Sequence, residues 1–397
     1  MLIADKNALA EPFHRVTGFR VTACTYTEKV RVAIDASPLL VRSAGVKNYL
    51  YYWILHLRRL GGRDAFYTVP RMEKVRRLTH ERSVAPWWTT GLGLGAVAAS
   101  NRFGLPLLDW ISGAPDVFHA SVLVRRPPRR PKLTATIHDL TAFLMPELHP
   151  GANLAAEQGF AHLARRADAL IAVSEATRRD AVRVFGIPEE KITVIHSGIP
   201  HLYFTPGDTL IEAARLKYGL RRPFVLFVGT IEPRKNVDLL LEAFESLPVA
   251  LRQHWDLVIA GSPGWASSHT MKRLHRDAKV RYLGYVPEAL LPGLTAAATI
   301  FVYPSLYEGF GFPVAQAMAA GVPVITSNVS AMPEIAGEAA LLIDPRSQND
   351  LHHALTRLMT TEDLRSVLAA SGRQRAEQFH WENCAAQSIE FFRKVSG

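Results

Sequence analysis

The sequence predicts an α/β fold built from two doubly wound parallel sheets, and three observations support this. Its 397 residues exceed what one hydrophobic core usually holds, which indicates two domains of roughly 200 residues. Short apolar runs with strand character alternate with longer amphipathic segments, the order typical of parallel sheets covered by helices. The alternation stops at a stretch rich in proline and glycine after residue 198 and restarts near residue 224. Because such sheets bind ligands beyond the carboxyl ends of their strands, two facing sheets predict a central cleft.

The same pattern sets the expected domain boundaries. Residues 1–29 lack periodicity and are expected to form an extension, residues 30–200 the first domain, residues 201–222 the link, and residues 223–378 the second domain. Residues 379–397 have a helical pattern, and packing of this helix back on the first domain is one hypothesis for them. Ser174 is the expected N-cap of a helix over residues 175–185. Strands are predicted at residues 30–35, 65–69, 117–119, 133–138, 169–173, 192–195, 224–228, 256–260, 280–283, 300–303, 322–326 and 340–343.

Charge is distributed unevenly between the two halves. Residues 1–200 hold 27 Lys and Arg against 17 Asp and Glu, whereas the remainder holds 19 of each. A basic domain indicates attraction to phosphates, to an anionic membrane or to an acidic acceptor. No helix-turn-helix, zinc-finger or aromatic RNA-binding pattern accompanies it, so nucleic acid is not an expected partner.

The chain contains no apolar run of the roughly 20 residues that a membrane helix needs, and its start lacks the pattern of a secretory signal. The cytoplasm is therefore the expected location, with peripheral contact to the inner membrane face as a further hypothesis. Two cysteines are too few for a disulfide framework or a cysteine metal site.

The segment from Glu308 to Gly321 is the most informative motif. A glycine turn joins a strand to a helix, and Pro313 suits the first helical turn. The amides of residues 310–312 would then point out of the positive end of the helix, where a phosphate or a polarised sugar oxygen can bind. Glu308 could accept hydrogen bonds from sugar hydroxyls, although an exposed capping carboxylate is the alternative interpretation.

A second motif, residues 229–236, joins a strand end to a helix start and contains Arg234 and Lys235. Arg grips phosphate in a planar fork, and Lys acts as a point charge. We interpret the pair as the holder of a diphosphate leaving group. A solvated basic turn is the alternative.

Two weaker candidates lie in the first domain. Gly45 opens a predicted helix, where a glycine permits close approach of backbone to phosphate. His138 ends a buried strand and would project into the cleft, but a histidine at a strand end is more often a structural hydrogen-bonding residue.

Together these segments resemble glycosyltransferase family 4, the retaining enzymes of the GT-B fold, in which two Rossmann-like domains face a central cleft. The likeness covers residues 30–381 and rests on five motifs in order: Ile34-Asp35 followed by Gly45, residues 136–140, residues 173–180, residues 229–236 and residues 308–321. The resemblance implies that the first domain lies on the acceptor side and that the second binds a nucleotide sugar.

The resemblance also assigns roles to residues, and it places His138 and Glu308 at the catalytic centre. The donor diphosphate would contact Gly45, Arg234 and Lys235, and the donor sugar would contact Phe310, Gly311 and Phe312. Ribose and base would contact Gln316, Gly261, Tyr285 and Val286. The family pattern carries a second glutamate where this chain has Gln316; glutamine keeps an acceptor oxygen but loses the charge.

The implied reaction is transfer of a hexosyl group, preferably mannosyl, from a nucleoside diphosphate sugar to a glycan or lipid-linked hydroxyl, with retention and without cofactor or metal. No Asp-x-Asp motif occurs. A sugar-nucleotide epimerase on the same scaffold and a non-catalytic sugar-nucleotide or polyanion binder are the alternatives. The basic, Trp-containing residues 71–110 and residues 125–132 are hypothesised to contact anionic membrane or a lipid-linked acceptor, with a solvated surface as the alternative.

Overall fold

The computed structural model describes residues 30–397 apart from 42–44, 73–77, 79–81, 150 and 277–278. The predicted N-terminal extension, residues 1–29, lies outside the described residues.

The first lobe is a six-stranded parallel sheet in the order β2-β1-β3-β4-β5-β6. Its strands are β1 Val32–Asp35, β2 Phe66–Val69, β3 Val117–Ala120, β4 Lys132–Ile137, β5 Ala169–Ala172 and β6 Ile192–Val194. Its helices are α1 Gly45–Gly61, α2 Trp87–Phe103, α3 Leu107–Ser112, α4 Thr141–Leu144, α5 Gly151–Arg166 and α6 Glu175–Phe185. The predicted strands agree with these within two residues, whereas residues 71–110, which had no predicted regular element, contain α2 and most of α3.

The second lobe is a six-stranded parallel sheet in the order β12-β11-β10-β7-β8-β9. Its strands are β7 Phe224–Val228, β8 Asp256–Ala260, β9 Val280–Gly284, β10 Ile300–Tyr303, β11 Val324–Ser327 and β12 Ala340–Ile343. The helices that follow the first lobe are α7 Asp208–Tyr218, α8 Val237–Glu245, α9 Val249–Arg252, α10 Ser268–Arg276, α11 Leu291–Ala296, α12 Phe312–Ala319, α13 Met332–Ala336, α14 Gln348–Thr360, α15 Glu362–Ala376 and α16 Trp381–Ser396. Continuous apolar strands such as β7 form because helices cover both sheet faces. The predicted fold class, two doubly wound parallel sheets, is confirmed.

Two segments connect the lobes. Helix α7 packs on α11, where a Cβ on Gly293 would lie 2.4 Å from the Leu210 carbonyl oxygen. Helix α16 packs on α1 in the first lobe, and the Trp53 indole N–H donates to the Ser388 hydroxyl at 2.9 Å. The chain therefore crosses between the lobes twice.

The carboxyl ends of the two sheets meet. Gly309, in the loop after β10, approaches the carbonyl oxygen of His138 at the end of β4 so closely that a Cβ would lie 1.7 Å from it. The Ser174 and Thr177 hydroxyls, after β5, both donate to the Gly309 carbonyl oxygen, at 2.6 and 3.1 Å. Residue 309 must therefore be glycine, and the loops that carry the predicted site residues face each other.

Among the described residues, no helix is both long enough and apolar enough to cross a bilayer.

Candidate functional site

Two cations and two carboxylates form a buried cluster in the second lobe. The Lys235 ammonium donates to Oε1 of Glu308 at 2.5 Å, and Arg234 Nη1 lies 3.0 Å from the same oxygen. Arg234 Nη2 donates to Glu232 Oε1 at 2.8 Å. These four residues are between 6% and 9% exposed. The alternative interpretations, a solvated basic turn and an exposed capping carboxylate, are therefore wrong, because folding removes both loops from water.

Donors converge on a single oxygen of Glu308. Besides the two cations, the Ser305 hydroxyl at 2.7 Å and the Tyr303 hydroxyl at 3.1 Å donate to Oε1. In the part of the chain that the structure describes, no hydrogen bond reaches Oε2, which leaves that oxygen able to accept one from a ligand.

Electrostatics holds Glu308 ionised. Burial alone would raise its pKa, but Arg234 and Lys235 more than offset this and lower the pKa to about 2. Burial and the adjacent Arg234 lower the pKa of Lys235. Burial acts in the same direction on Arg234, but Glu308, Asp139 and Glu232 raise its pKa. Among the described residues, Lys235 pairs with Glu308 alone, whereas Arg234 pairs with both Glu308 and Glu232.

A left-handed residue positions both cations. Asn236 has φ of 58°, and its side-chain amide donates to the carbonyl oxygens of Pro304 and Pro345 at 3.1 and 2.7 Å. Asparagine tolerates this conformation better than most residues. The basic turn is thereby fixed against the loop that carries Glu308.

The backbone at the start of helix α12 leaves three amides without an acceptor among the described residues. Gly311 precedes the helix with φ of 92°, and Pro313 lies in the first turn. Within the described residues, the backbone N–H groups of Phe310, Gly311 and Phe312 donate no hydrogen bond. The Phe310 side chain packs against Phe379, so only its backbone can serve a ligand.

The first lobe has a cavity of about 90 Å³ at the carboxyl ends of its strands. Its polar lining comes from the carboxyl ends of β1, β3 and β4 and from α5, and includes Asp35, His138, Asp139 and Glu157. The Asp35 carboxylate accepts from the Ser37 hydroxyl at 3.0 Å and from the Ser121 hydroxyl.

Two groups in this cavity have altered acidities. Burial lowers the pKa of His138 to about 4, so its imidazole is neutral at pH 7; its ring contacts Tyr49 edge-on at 4.8 Å. Burial and the nearby Asp139 raise the pKa of Glu157 to about 7. His138, directly after β4, thus lines this first-lobe cavity as a neutral group.

The remaining predicted residues lie at the start of α1, on α12 and after strands β8 and β9. Gly45 is exposed at the start of α1, and a Cβ there would meet no atom of the described residues within 4 Å. Gln316 is 8% exposed on α12. Gly261 has φ of 152°, and a Cβ there would lie 1.8 Å from the Gly229 carbonyl oxygen. Close packing against Gly229 therefore explains why residue 261 is a glycine. Tyr285 is 37% exposed and Val286 is buried after β9.

A carboxylate joins the two lobes beside the site. Glu334 of α13 accepts from the backbone N–H groups of Glu175 and Ala176 at 2.9 and 3.1 Å, and from His196 at 2.7 Å. Burial would raise the pKa of Glu334, but His196 and the two amides lower it. The second lobe thus supplies an anion to the N-terminus of helix α6 in the first lobe.

Sequence reasoning missed several of these residues. Tyr303 and Ser305 could have been found from their place at the end of β10, next to the Glu308 loop. Asp35 likewise ends β1, and it appears above only as part of the Ile34-Asp35 motif. For Glu157 and Glu334, which lie within helices, the sequence offered no comparable signal.

Two family models match nearly the whole described chain. Glycosyltransferase Family 4 matches residues 43–203, and Glycosyl transferases group 1 matches residues 211–375. The gap between the two matches, residues 204–210, extends into the first turn of α7.

Curated relatives include several mannosyltransferases. O-antigen chain mannosyltransferase B of Escherichia coli is 35% identical over 272 residues, which are 67% of this chain and 71% of that protein. Serotype-specific mannosyltransferase WbdA of Escherichia coli is 26% identical over 80% of this chain, but the match spans only 39% of WbdA.

Solved structures share the fold at low sequence identity. A sucrose-phosphate synthase from Thermosynechococcus elongatus has a TM-score of 0.68 at 21% identity, with 92% of this chain and 99% of that chain covered. Anabaena Alr3699/HepE, in complex with UDP-glucose, has a TM-score of 0.66 at 17% identity, with 92% and 99% covered. The two facing lobes are thus those of a GT-B fold. With the family matches and the 35% identical relative, they show that this chain is a glycosyltransferase and belongs to glycosyltransferase family 4.

Proposed function

We propose that the enzyme transfers a mannosyl group from a nucleoside diphosphate sugar, GDP-mannose being the preferred donor, to a hydroxyl of a glycan or lipid-linked acceptor. The observation that carries the proposal is the convergence of Arg234, Lys235 and Glu308 beside the open amides of α12. The mannosyl preference is supported by the relatives named mannosyltransferase. Membership of a transferase family disfavours the epimerase and the non-catalytic binder.

Charge supports binding of a diphosphate at this place. Arg234 and Lys235 are balanced by Glu232 and Glu308, so these four side chains sum to zero. The positive end of α12 and its three open amides then provide the net attraction for an anion. A diphosphate oxygen that approaches Lys235 would compete with Glu308 for the same ammonium, and the remaining Glu308 oxygen is available to a sugar hydroxyl.

In the proposed reaction, the bond from the anomeric carbon to the diphosphate oxygen breaks and its electron pair stays on the diphosphate. The acceptor oxygen bonds to the same carbon on the same face, and its proton passes to the departing phosphate oxygen, so configuration is retained. The cations and helix start stabilise the growing negative charge. We propose no metal and no cofactor for this step.

On the first-lobe side, we propose that the acceptor enters the cavity beside His138. The carboxylates that line this cavity, Asp35, Asp139 and Glu157, can accept hydrogen bonds from sugar hydroxyls. With a pKa of about 4, His138 would serve as a neutral hydrogen-bonding group to the donor sugar. Its titration would then cause no loss of activity between pH 6 and pH 8.

The proposal is tested first by binding. The chain is heated with GDP-mannose, UDP-glucose or UDP-N-acetylglucosamine; we expect GDP-mannose to raise the melting temperature most, because a ligand that binds only the native form stabilises it by mass action. A folded chain whose melting temperature responds to none of these sugars would contradict the donor class.

Transfer is then followed by NMR with an alkyl α-mannoside as acceptor, with and without EDTA. We expect an α-linked product in both conditions, formed about 100-fold more slowly by Lys235→Ala, whereas the control Lys272→Ala, a change at an exposed lysine of α10, leaves the rate unchanged. Conversion of the nucleotide sugar to its epimer without acceptor would overturn the proposed reaction.

A further inference from the structure

Helix α2 has large apolar residues on its exposed side, the reverse of the usual pattern for a surface helix. Of its four buried residues, Thr89, Gly93 and Ser100 are small or polar, and Val97 is the one larger apolar residue. On its exposed side, Trp87 is 85% exposed and Leu92 71%. A helix on the surface of a water-surrounded domain normally buries its large apolar residues and exposes its polar ones. The exposed side of α2 is therefore suited to surroundings other than water.

Exposed apolar residues also occur beyond α2, up to and within helix α3, which packs on α2. Half of the fourteen large hydrophobic residues that are exposed in the described chain lie within residues 87–111, a concentration that scattered surface apolar residues do not show. We call six of them the aromatic face: Trp87, Trp88, Leu92, Phe103, Leu105 and Trp110. Three tryptophans among six residues is the composition typical of proteins at a membrane–water interface.

Cations border the aromatic face. The backbone N–H of Arg125 donates to the Asn101 side chain on α2 at 2.9 Å, and that of Arg129 donates to Asp109 on α3 at 3.1 Å. These bonds hold residues 125–130 beside both helices. Arg125, Arg126, Arg129 and Arg130 are exposed, and none forms a salt bridge with another described residue.

We propose that the aromatic face and these four arginines, together the docking surface, bind peripherally to a bilayer that contains anionic lipids. Aromatic side chains would enter the interface, and the arginines would contact the headgroups. Charge argues against a second copy of this chain as the occupant, because pairing two such surfaces would bring eight uncompensated arginines together.

The buried side of α2, opposite the docking surface, packs on the turn that follows Asp35 of the first-lobe cavity. Gly93 of α2 packs on Leu40, where an added Cβ would lie 3.1 Å from a side-chain carbon. Leu40 ends the short 3-10 turn Ser37–Leu40, which follows Asp35 at the edge of the cavity. Helix α2 therefore lies between the docking surface and this turn. The docking itself does not depend on the donor assignment.

Sedimentation with vesicles tests the docking. The full chain is mixed with vesicles of phosphatidylcholine alone, or of phosphatidylcholine and phosphatidylglycerol at a molar ratio of 7:3. We expect binding to the anionic vesicles and little to the neutral ones. Arg129→Ser with Arg130→Ser is expected to lower the partition coefficient about 25-fold, since each cation near an anionic surface contributes about fivefold.

The apolar part is tested separately with Trp87→Ser, Leu92→Ser and Trp110→Ser combined. We expect partitioning to fall by about tenfold or more. Because all three side chains are more than two-thirds exposed, the melting temperature should not fall. Leu216→Ser with Val249→Ser, at exposed positions in α7 and α9, is the matched apolar control, and Lys272→Ser with Arg276→Ser the matched charge control; both should bind as the wild type does.

Three results would overturn the proposal. Equal binding to neutral and anionic vesicles would remove the electrostatic part, and binding unchanged by the triple serine variant would remove the aromatic part. The third is a dimer in light scattering that the triple variant makes monomeric, together with no vesicle binding; this result would assign the surface to self-association. None of these readouts involves transfer activity, so failure of docking and failure of the proposed reaction are distinguishable.

Discussion

Replacement of Glu308 by glutamine isolates the contribution of its charge. Glutamine keeps an oxygen that can accept from Tyr303 and Ser305. It leaves Arg234 paired with Glu232 and leaves the buried Lys235 without a carboxylate contact among the described residues. The pKa of Glu308 is about 2, against 4.5 for an ordinary glutamate. A shift of this size corresponds to about 3 kcal/mol of stability, at about 1.4 kcal/mol per pH unit.

The pH dependence of this stabilisation follows from the direction of the pKa shift. Because folding lowers the pKa of Glu308, its contribution is fully present above pH 4.5 and is lost as the pH falls towards 2. We therefore expect Glu308→Gln to lower the unfolding free energy of the second lobe by about 3 kcal/mol at pH 7. For a lobe of about 200 residues this corresponds to a fall of roughly 6–12 °C in melting temperature.

Scanning calorimetry at pH 7, 5, 4 and 3 measures the effect. The difference between wild type and Glu308→Gln should be constant from pH 7 to 5 and should shrink at pH 4 and 3. Glu362→Gln, at a side chain that is 87% exposed, is the control and should change stability by no more than about 0.5 kcal/mol. Two results would show that the charge of Glu308 does not stabilise this cluster. One is equal melting temperatures of Glu308→Gln and wild type at pH 7; the other is a stability difference between them that stays constant down to pH 3.

Three further predictions concern residues around the cluster. Gly45→Ala should leave the melting temperature unchanged, because a Cβ there meets no atom of the described part of the chain within 4 Å. It should raise the donor KM about fivefold if the backbone contacts phosphate at this point; an unchanged KM would exclude that contact. Gln316→Glu should lower the donor KM roughly fivefold, because a hydrogen bond to a charged group is worth about 1 kcal/mol more than one to a neutral group; a higher KM would show that Gln316 does not hold the ribose. Glu334→Gln should weaken the contact between the lobes, seen as faster amide hydrogen exchange at Ala176; because folding lowers the pKa of Glu334, wild-type protection should fall as the pH drops below 4.5, and exchange unaffected by either change would rule this contact out.

Much of the fold could be predicted from the sequence because strand and helix patterns are local. The apolar run of β7 and the helix α6, with the Ser174 hydroxyl accepting from the Thr177 amide, lie where the sequence places them. Helix α2 shows the limit of this approach. It carries no acidic residue and a single basic one, so periodicity could not separate its buried side from its exposed side.

The sequence by itself determined the alternation of elements and the presence of Arg234, Lys235 and Glu308 at the ends of strands, because residues near one another in the chain set those features. Tertiary structure alone decided that Lys235 and Glu308, 73 residues apart, share a buried hydrogen bond, and that donors gather on one carboxylate oxygen. It also placed Asp35, Glu157 and His138 around one cavity and Glu334 on the opposite lobe. The physical reason is that burial and charge–charge attraction act through space, so they depend on which strand ends the folded sheets bring together.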